Sequence, residues 1–451
     1  MPCGVHCPHQ HNLGSEIPAS SLGNGHVAWG QGLALGGFMP TDTPTFTILK
    51  PARLMDGTDS PPKTGMAVLL QDDRIQAIGP ADKIAFPGAA TGEVLEFPDA
   101  TLLPGLIDCH THTNMPGTGR RGEEVHREDT DDIRLMRSAH NVSIALQTGV
   151  TTVCDCGGWN KTTFSLKEAI KEGLVNGPRV LAAGRPITTT GGHCWFMGSE
   201  ADGVDGVRQA ARQLIKEGAD FLKVMGTGGS TLGTDPFRPA FSMEEQQAIG
   251  DEGHRRNRVV VAHCRTNDAM RMVIDAGFDA IMHGWFTDDT GKKTYDEKLA
   301  DYIAKKEVRV NPTLQITRSR FQLFEGRKLT IEEEAQYTRM QANHVETLDH
   351  CGRLFKAGVK LMAGSDCGWG VYPFGHFDRE LLALVNAGLT PTQAIVAGTS
   401  NNAELLGVGD IIGTVEEGKL ADLLVVDGNP AENITDIANV AAVFRAGERI
   451  R

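Results

Sequence analysis

Basic charge, aromatic residues and long apolar runs are what this 451-residue chain has least of. Lys and Arg number 44 against 57 Asp and Glu, giving a formal net charge of -13. No basic stripe exists to neutralise phosphates, which excludes nucleic acid as a partner. No apolar stretch approaches the roughly 20 residues that span a bilayer, which excludes an integral helical membrane protein. Aromatics are only 6% of the chain while Gly numbers 53, a balance that suits a loop-rich α/β enzyme better than a β-sandwich receptor. The nine cysteines are odd in number and scattered, so they read as small buried thiols in a reducing compartment, not as a disulfide framework. What remains is a soluble cytoplasmic protein acting on a small molecule. Its oligomeric state is open, a homo-oligomer included.

Lys and Arg are also missing before Lys50. Residues 1–42 are rich in Gly, Pro, Ser and His, with no basic n-region for a secretory signal and little apolar periodicity, and they read as a disordered or non-native N-terminal extension. Cys3, His6, Cys7, His9 and His11 fall within it at a spacing that matches no zinc ribbon or finger.

What is present begins with Thr101–Thr113, TLLPGLIDCHTHT. This is an apolar run broken by Pro104-Gly105 that delivers His110 and His112 at its end. Side chains two apart on an extended chain share a face, so the two imidazoles can converge on one ion. Beyond it, short apolar runs alternate with helical spacing: TTVCD (151–155), VLAAG (180–184), FLKVM (221–225), VVVAH (259–263), AIMH (280–283), VRVNP (308–312) and KLMAGSD (360–366). Eight strands alternating with helices predict a (β/α)8, or TIM, barrel over residues 104–407, whose functional side chains sit where strands end. His110, His112, Lys223, His263, His283 and Asp366 all do so. Strand-like segments at both ends, over 43–103 and 408–451, predict a small β-sandwich domain built from both chain ends. Charged insertions at 115–132 and 317–349 are candidates for pocket walls.

The ordered set PGLIDCHTH, FLKVMGTGG, VVVAHCRTN, IMHG and MAGSD resembles the amidohydrolase superfamily from about Phe46 to the end, in particular its dipeptidase-like, imidazolonepropionase-like and phenylurea hydrolase-like branches. The resemblance implies a binuclear centre with two divalent ions, zinc first among them. Lys223 would be carboxylated by carbon dioxide into a carbamate that bridges the pair. His110, His112 and Asp366 would hold one ion, and His263 and His283 the other. It further implies hydrolysis of an amide-like C–N bond (amide, carbamate, urea or dipeptide) by a metal-bridging hydroxide, with Asp366 as base and then acid. His283 and His193 are further catalytic candidates. Two other functions stay open: a mononuclear deaminase of a ring amidine, and a non-catalytic scaffold. Against the deaminase, Cys-Arg-Thr-Asn follows His263 where a proton-shuttling glutamate is expected.

Secondary candidates are positional. The glycine-rich 226–229 reads as making room, since it lacks the ending of a phosphate loop. Trp195, Tyr372 and His376 are candidates for pocket lining, and Trp195, Phe196 and Trp369 for apolar walls. Arg120, Arg121, Arg265 and Arg318 are candidate anchors for a substrate carboxylate.

Overall fold

The computed structural model describes residues 44–451, so the Cys/His cluster near the N-terminus lies outside the described residues. Both ends of the described chain meet in one eight-stranded mixed sheet. Its order runs Glu448–Arg449, Val440–Arg445, Leu423–Asp427, Glu93–Pro104, Phe46–Leu54, Met66–Gln71 and Arg74–Pro80, with Lys63–Thr64 paired to Phe46–Leu54. The central strand Glu93–Pro104 is long because it has two jobs. Its first half runs parallel to Phe46–Leu54, and its second half pairs antiparallel with Leu423–Asp427. Leu49, Leu54, Val68, Leu70, Leu102, Leu423, Val425 and Phe444 make the apolar cluster of this unit. At Gly105 the chain leaves the sheet and enters the strand Leu106–Thr111, all six residues of which are buried.

From there to Asn311 the strands form two parallel sheets. Leu106–Thr111, Val150–Asp155 and Arg179–Ala182 pair in chain order, and Leu222–Met225, Val260–Thr266, Ala280–Thr287 and Arg309–Asn311 do the same. Buried on both sides, these strands are near-continuous apolar text, as parallel sheets require. The helices between them bury one stripe each. In Gly203–Glu217 the stripe is Val207, Ala211 and Leu214, and the helix stops where Gly218 takes a left-handed φ of 111°. Starts are marked as clearly: Ser242 with Glu245, and Thr330 with Glu333, form reciprocal capping boxes, each Ser/Thr cap contributing about 1 kcal/mol.

The expected eighth strand at 360–366 differs from the others. It makes a single bridge, Leu361 to Val310, and no ladder. The reason is where its amides go: Ala363 N donates to Ala397 O, Ser365 N to the Asp108 carboxylate, and Asp366 N to His110 O at 2.7 Å. The segment is still joined by single backbone bonds to the first strand, through His110 O and Cys109 N, and to the seventh, through Val310, with Asp108 and Ala397 taking the amides between. The insertion at 317–349 is helical over Arg320–Leu323 and from Ile331 onward. The insertion at 115–132 holds the helix Gly122–Glu128, packed against Phe196 and Trp369.

Candidate metal centre

An apolar layer of Ile107, Cys109, Leu181, Phe221, Val261, Met282 and Met362 fills the space between the parallel strands. Strand alternation sets the next layer: Lys223 is two residues beyond Phe221 and His263 two beyond Val261, so both share the face of that apolar layer. His283 follows Met282 by one residue and by alternation would face away. Its backbone adopts φ 77°, a left-handed conformation that costs a non-glycine residue on the order of 1 kcal/mol or more, and this turn brings the ring to its neighbours. Asp366 (φ 58°) and Thr313 (φ 47°) share that conformation at the same site. Gly364 is obligatory for a different reason, since a Cβ there would sit 2.7 Å from both Cys109 Sγ and His110 Cβ.

The result is one buried cluster of all the predicted ligands. His110 Nε2 and His112 Nε2 lie 3.5 and 3.4 Å from Asp366 Oδ1. Lys223 Nζ is 2.9 Å from His110 Nε2, and His283 Nε2 is 2.8 Å from His263 Nδ1. The His110 and His283 rings are 5.3 Å apart, and ligand atoms of His110, His283 and Asp366 all fall within 4.8 Å of one another.

Each ring is tethered from behind. His110 Nδ1 donates to Asn311 Oδ1 (3.0 Å), whose amide is oriented by its own donation to Gly364 O and Met362 O. His112 Nδ1 donates to Gly157 O (3.0 Å), His263 Nε2 to Gly228 O (3.2 Å), and His283 Nδ1 meets Thr313 Oγ1 at 2.8 Å. The Gly157 and Gly228 carbonyls and the oriented Asn311 oxygen only accept, so the outer nitrogens of His110, His112 and His263 carry the proton and their inner ones a lone pair, whereas the Thr313 hydroxyl can serve either tautomer of His283. Burial, foremost, pushes the pKa of His110, His263 and His283 well below the usual imidazole value, which keeps them uncharged. Burial works the other way on Asp366, but the imidazoles of His110, His112 and His283 hold its carboxyl below the usual range. The inner nitrogens therefore gather around a carboxylate, three of them as lone pairs, with His283 Nε2 2.8 Å from His263 Nδ1. Such a set fits divalent cations: neutral imidazoles with the second nitrogen hydrogen-bonded are the ordinary ligand arrangement for zinc-like ions. Lys223 is 1% exposed, yet among the described residues no carboxylate pairs with it.

His193 joins the cluster with its ring 4.6 Å from His263. Its Nδ1 lies 2.7 Å from Thr231 Oγ1, which also accepts from Cys194 N, and burial followed by the charge of Arg265 pushes its pKa down to about 3. Gly229 makes room for it, since a Cβ there would lie 2.4 Å from His193 Nε2. Trp369 packs edge-on to His112 at 5.4 Å with Phe196 behind it, and Trp195 is partly exposed against His126. Tyr372 does not line the pocket. It is buried in the core and donates its hydroxyl to His376 O. Arg120, Arg121 and Arg318 are paired with acids; among the described residues Arg265 is not. The residues missed from the sequence are the tethers Asn311 and Thr313, together with Asp108 and Glu380. Asp108 binds Ser365 through both Oγ and N, and Glu380 accepts from Leu314 N and Gln315 N, fixing the turn after Thr313. The one signal for Asn311 is its place at the end of a strand. Two surface clefts, one beside Leu361 and Gln393 and one beside Asp56 and Lys63, contain none of these residues.

Residues 101–450 match the amidohydrolase family. The chain is a member of that family. It is similar to the ochratoxinase of Aspergillus niger, 29% identical over 433 residues that cover 87% of this chain and 84% of the relative. The crystal structure of that enzyme superposes with a TM-score of 0.77 at 27% identity, covering 91% of this chain and 96% of the other. A Xaa-Pro dipeptidase with bound methionine in the active site gives 0.79 at 26% identity, covering 90% of this chain and all of the other. No helix among the described residues is long and apolar enough to cross a membrane.

Proposed function

We propose that this chain hydrolyses an amide-like C–N bond of a small molecule, with two divalent metal ions held by His110, His112, Lys223, His263, His283 and Asp366. The observation that carries the reading is the convergence of buried His110, His283 and Asp366, whose ligand atoms all lie within 4.8 Å of one another. Lys223 supports a binuclear centre: it is buried with no carboxylate partner among the described residues, and its carboxylation by carbon dioxide would yield an anion with two ligand oxygens. When bound, such ions supply a water acidified to near neutrality and polarise the substrate carbonyl.

The chain's own residues do the rest. Asp366, ionised and in reach of His110 and His112, takes the proton of the attacking water at Oδ1 and returns it to the departing nitrogen. Thr231, already accepting from Cys194 N, gives its hydroxyl proton to His193 Nδ1, which leaves the proton of that neutral ring on Nε2 as a donor to the substrate carbonyl oxygen. The aromatic side chains near His112 exclude water from one flank. The architecture that goes with this reading is a closed (β/α)8 barrel over 104–407 beside a β-sandwich of 43–103 and 408–451. Backbone bonds from Ile187 N to Lys223 O, and from Cys109 N to Ala363 O, support closure between the two parallel sheets.

The named relatives, an ochratoxinase and a Xaa-Pro dipeptidase, support C–N hydrolysis over ring deamination. The test is metal analysis combined with a panel of N-acyl amino acids, Xaa-Pro dipeptides, carbamates, phenylureas, cytosine and adenosine, following amine and ammonia release separately. About two ions per chain and amine release are expected. Ammonia from a ring substrate with no cleavage of the others would replace the reading with a deaminase, and full activity with one ion would remove the second metal.

A further inference from the structure

Three of the four arginines that the sequence offers for a substrate carboxylate are already neutralised. Arg120 is paired with Glu128 and Asp129, Arg121 with Glu123, and Arg318 with Glu325. Arg265 has no carboxylate partner among the described residues, and its buried Nε has no hydrogen-bond partner either. Desolvating a guanidinium without an anion is costly, and a protein with a net charge of -13 has acids to spare. The position is also specific. Arg265 is two residues past His263, and Trp285 two past His283, on adjacent parallel strands. The guanidinium carbon lies 4.8 Å from the centre of the Trp285 ring, and that ring lies 5.1 Å from His283. Arg265 and Trp285 thus form a layer stacked on the metal-ligand layer. Arg320, in the turn Arg320–Leu323, adds a second guanidinium without an acid partner among the described residues, and after burial its charge lowers the pKa of Arg265. The opposite flank, at His112, is the aromatic one formed by Trp369 and Phe196.

We propose that Arg265, assisted by Arg320, is the subsite for a carboxylate carried by the substrate, so that the preferred substrates are acidic amides such as N-acyl amino acids or dipeptides and not neutral ureas or carbamates. The inference rests on the hydrolase reading for what happens to the bound molecule, but the anion site can be measured without turnover. Arg265 forks two N–H groups at one carboxylate, a bidentate contact that lysine cannot reproduce.

The experiment uses the metal-loaded full chain and a pair of unreactive probes, 3-phenylpropanoate and 3-phenylpropanol, titrated calorimetrically into wild type, Arg265→Gln, Arg265→Lys and Arg320→Gln. The expected result is a loss of propanoate affinity of about 10- to 100-fold in Arg265→Gln, less in Arg265→Lys and least in Arg320→Gln, with a smaller change for the alcohol. In turnover, the preference for N-acetylphenylalanine over its carboxamide should fall toward one, mainly through KM. Equal losses for acid and alcohol would make Arg265 a wall of the cleft and overturn the proposal, as would unchanged propanoate affinity or no binding to wild type. If Arg265→Gln fails to fold, the Arg265→Lys and Arg320→Gln pair decides by the same acid-to-alcohol comparison. Propanoate bound through Arg265 with no C–N bond cut in any substrate would sink the hydrolase reading alone. Cleavage of neutral ureas with no effect of Arg265→Gln would sink this inference alone.

Discussion

The molecule buries charge in several places, and two of them are built on opposite rules. On the outer helices, the Glu252 side chain is fully buried between Gly203–Glu217 and Met243–His254, and both of its oxygens accept from arginines. Arg208 donates to Oε1 at 3.2 Å, Arg212 to the same oxygen at 2.5 Å, and Arg256 to Oε2. At the strand ends the sum is left open: three imidazoles aim lone pairs inward, and among the described residues Lys223 lacks an acid and Arg265 lacks any partner at its Nε. A closed cluster fastens two helices and asks for nothing more. An open one is stable only with something added, which is why the same residue types read as structure in one place and as a site in the other.

The sharpest way to break this contrast is at the open cluster. Asp366→Asn keeps the shape of the side chain and removes its ability to take a proton, so turnover should fall about 10²- to 10⁴-fold while the melting temperature stays near wild type. Near-normal turnover would place the base elsewhere, with His283 or His193 next in line. Lys223→Ala comes next, with a loss on the order of 10²-fold and lower metal content, partly restored by formate or acetate filling the gap. A fully active alanine variant would make Lys223 a structural residue.

Asn311→Ala should cost less, because Asn311 touches no reacting atom and only fixes the tautomer and orientation of His110. Metal affinity, read by competition with a chelator, should weaken about 10- to 100-fold, with kcat at saturating metal less affected. An unchanged affinity would show that His110 is held by the fold alone.

How much of this was legible follows from what each residue depends on. Strand alternation and position were enough for His110, His112, Lys223 and His263, because those depend on local period. The ring of His283 reaches the site through a left-handed turn that alternation does not foresee, and it was found from its place in the series instead. The tethers were illegible because they are long-range: Asn311 meets His110 from 201 residues away, and Asp108 meets Ser365 from 257. The eighth segment reads as a strand in the text, since no local pattern says that its amides will be taken by Asp108 and Ala397. Arg120, Arg121, Arg265 and Arg318 looked equivalent in sequence, and only the folded ion pairs separate them.

The closed cluster carries the smallest prediction and the one that separates the two regions by pH. Arg212 foremost, through a hydrogen bond to Glu252, and Arg256 with it, hold the Glu252 carboxyl down to about 2. A carboxyl whose folded value lies below its unfolded value adds stability that is full above the unfolded value, near 4.3. It loses that stability as pH falls toward the folded value, because protonation then costs the native state more than the unfolded one. Glu252→Gln removes the ionisable group and leaves the three arginines with an amide, so the variant should be less stable at pH 7 by about 1–3 kcal/mol. Activity per folded molecule should not change, since Glu252 stands on the outer helices and takes no part in the strand-end cluster. Other carboxyls titrate equally in both proteins and cancel in the difference, so the gap between wild type and variant should narrow as pH is lowered from 4.5 to 3. Urea unfolding of both proteins across that range reads it directly. A gap that stays constant with pH would mean that Glu252 contributes through packing and not through its charge, and the contrast between closed and open clusters would lose its first half.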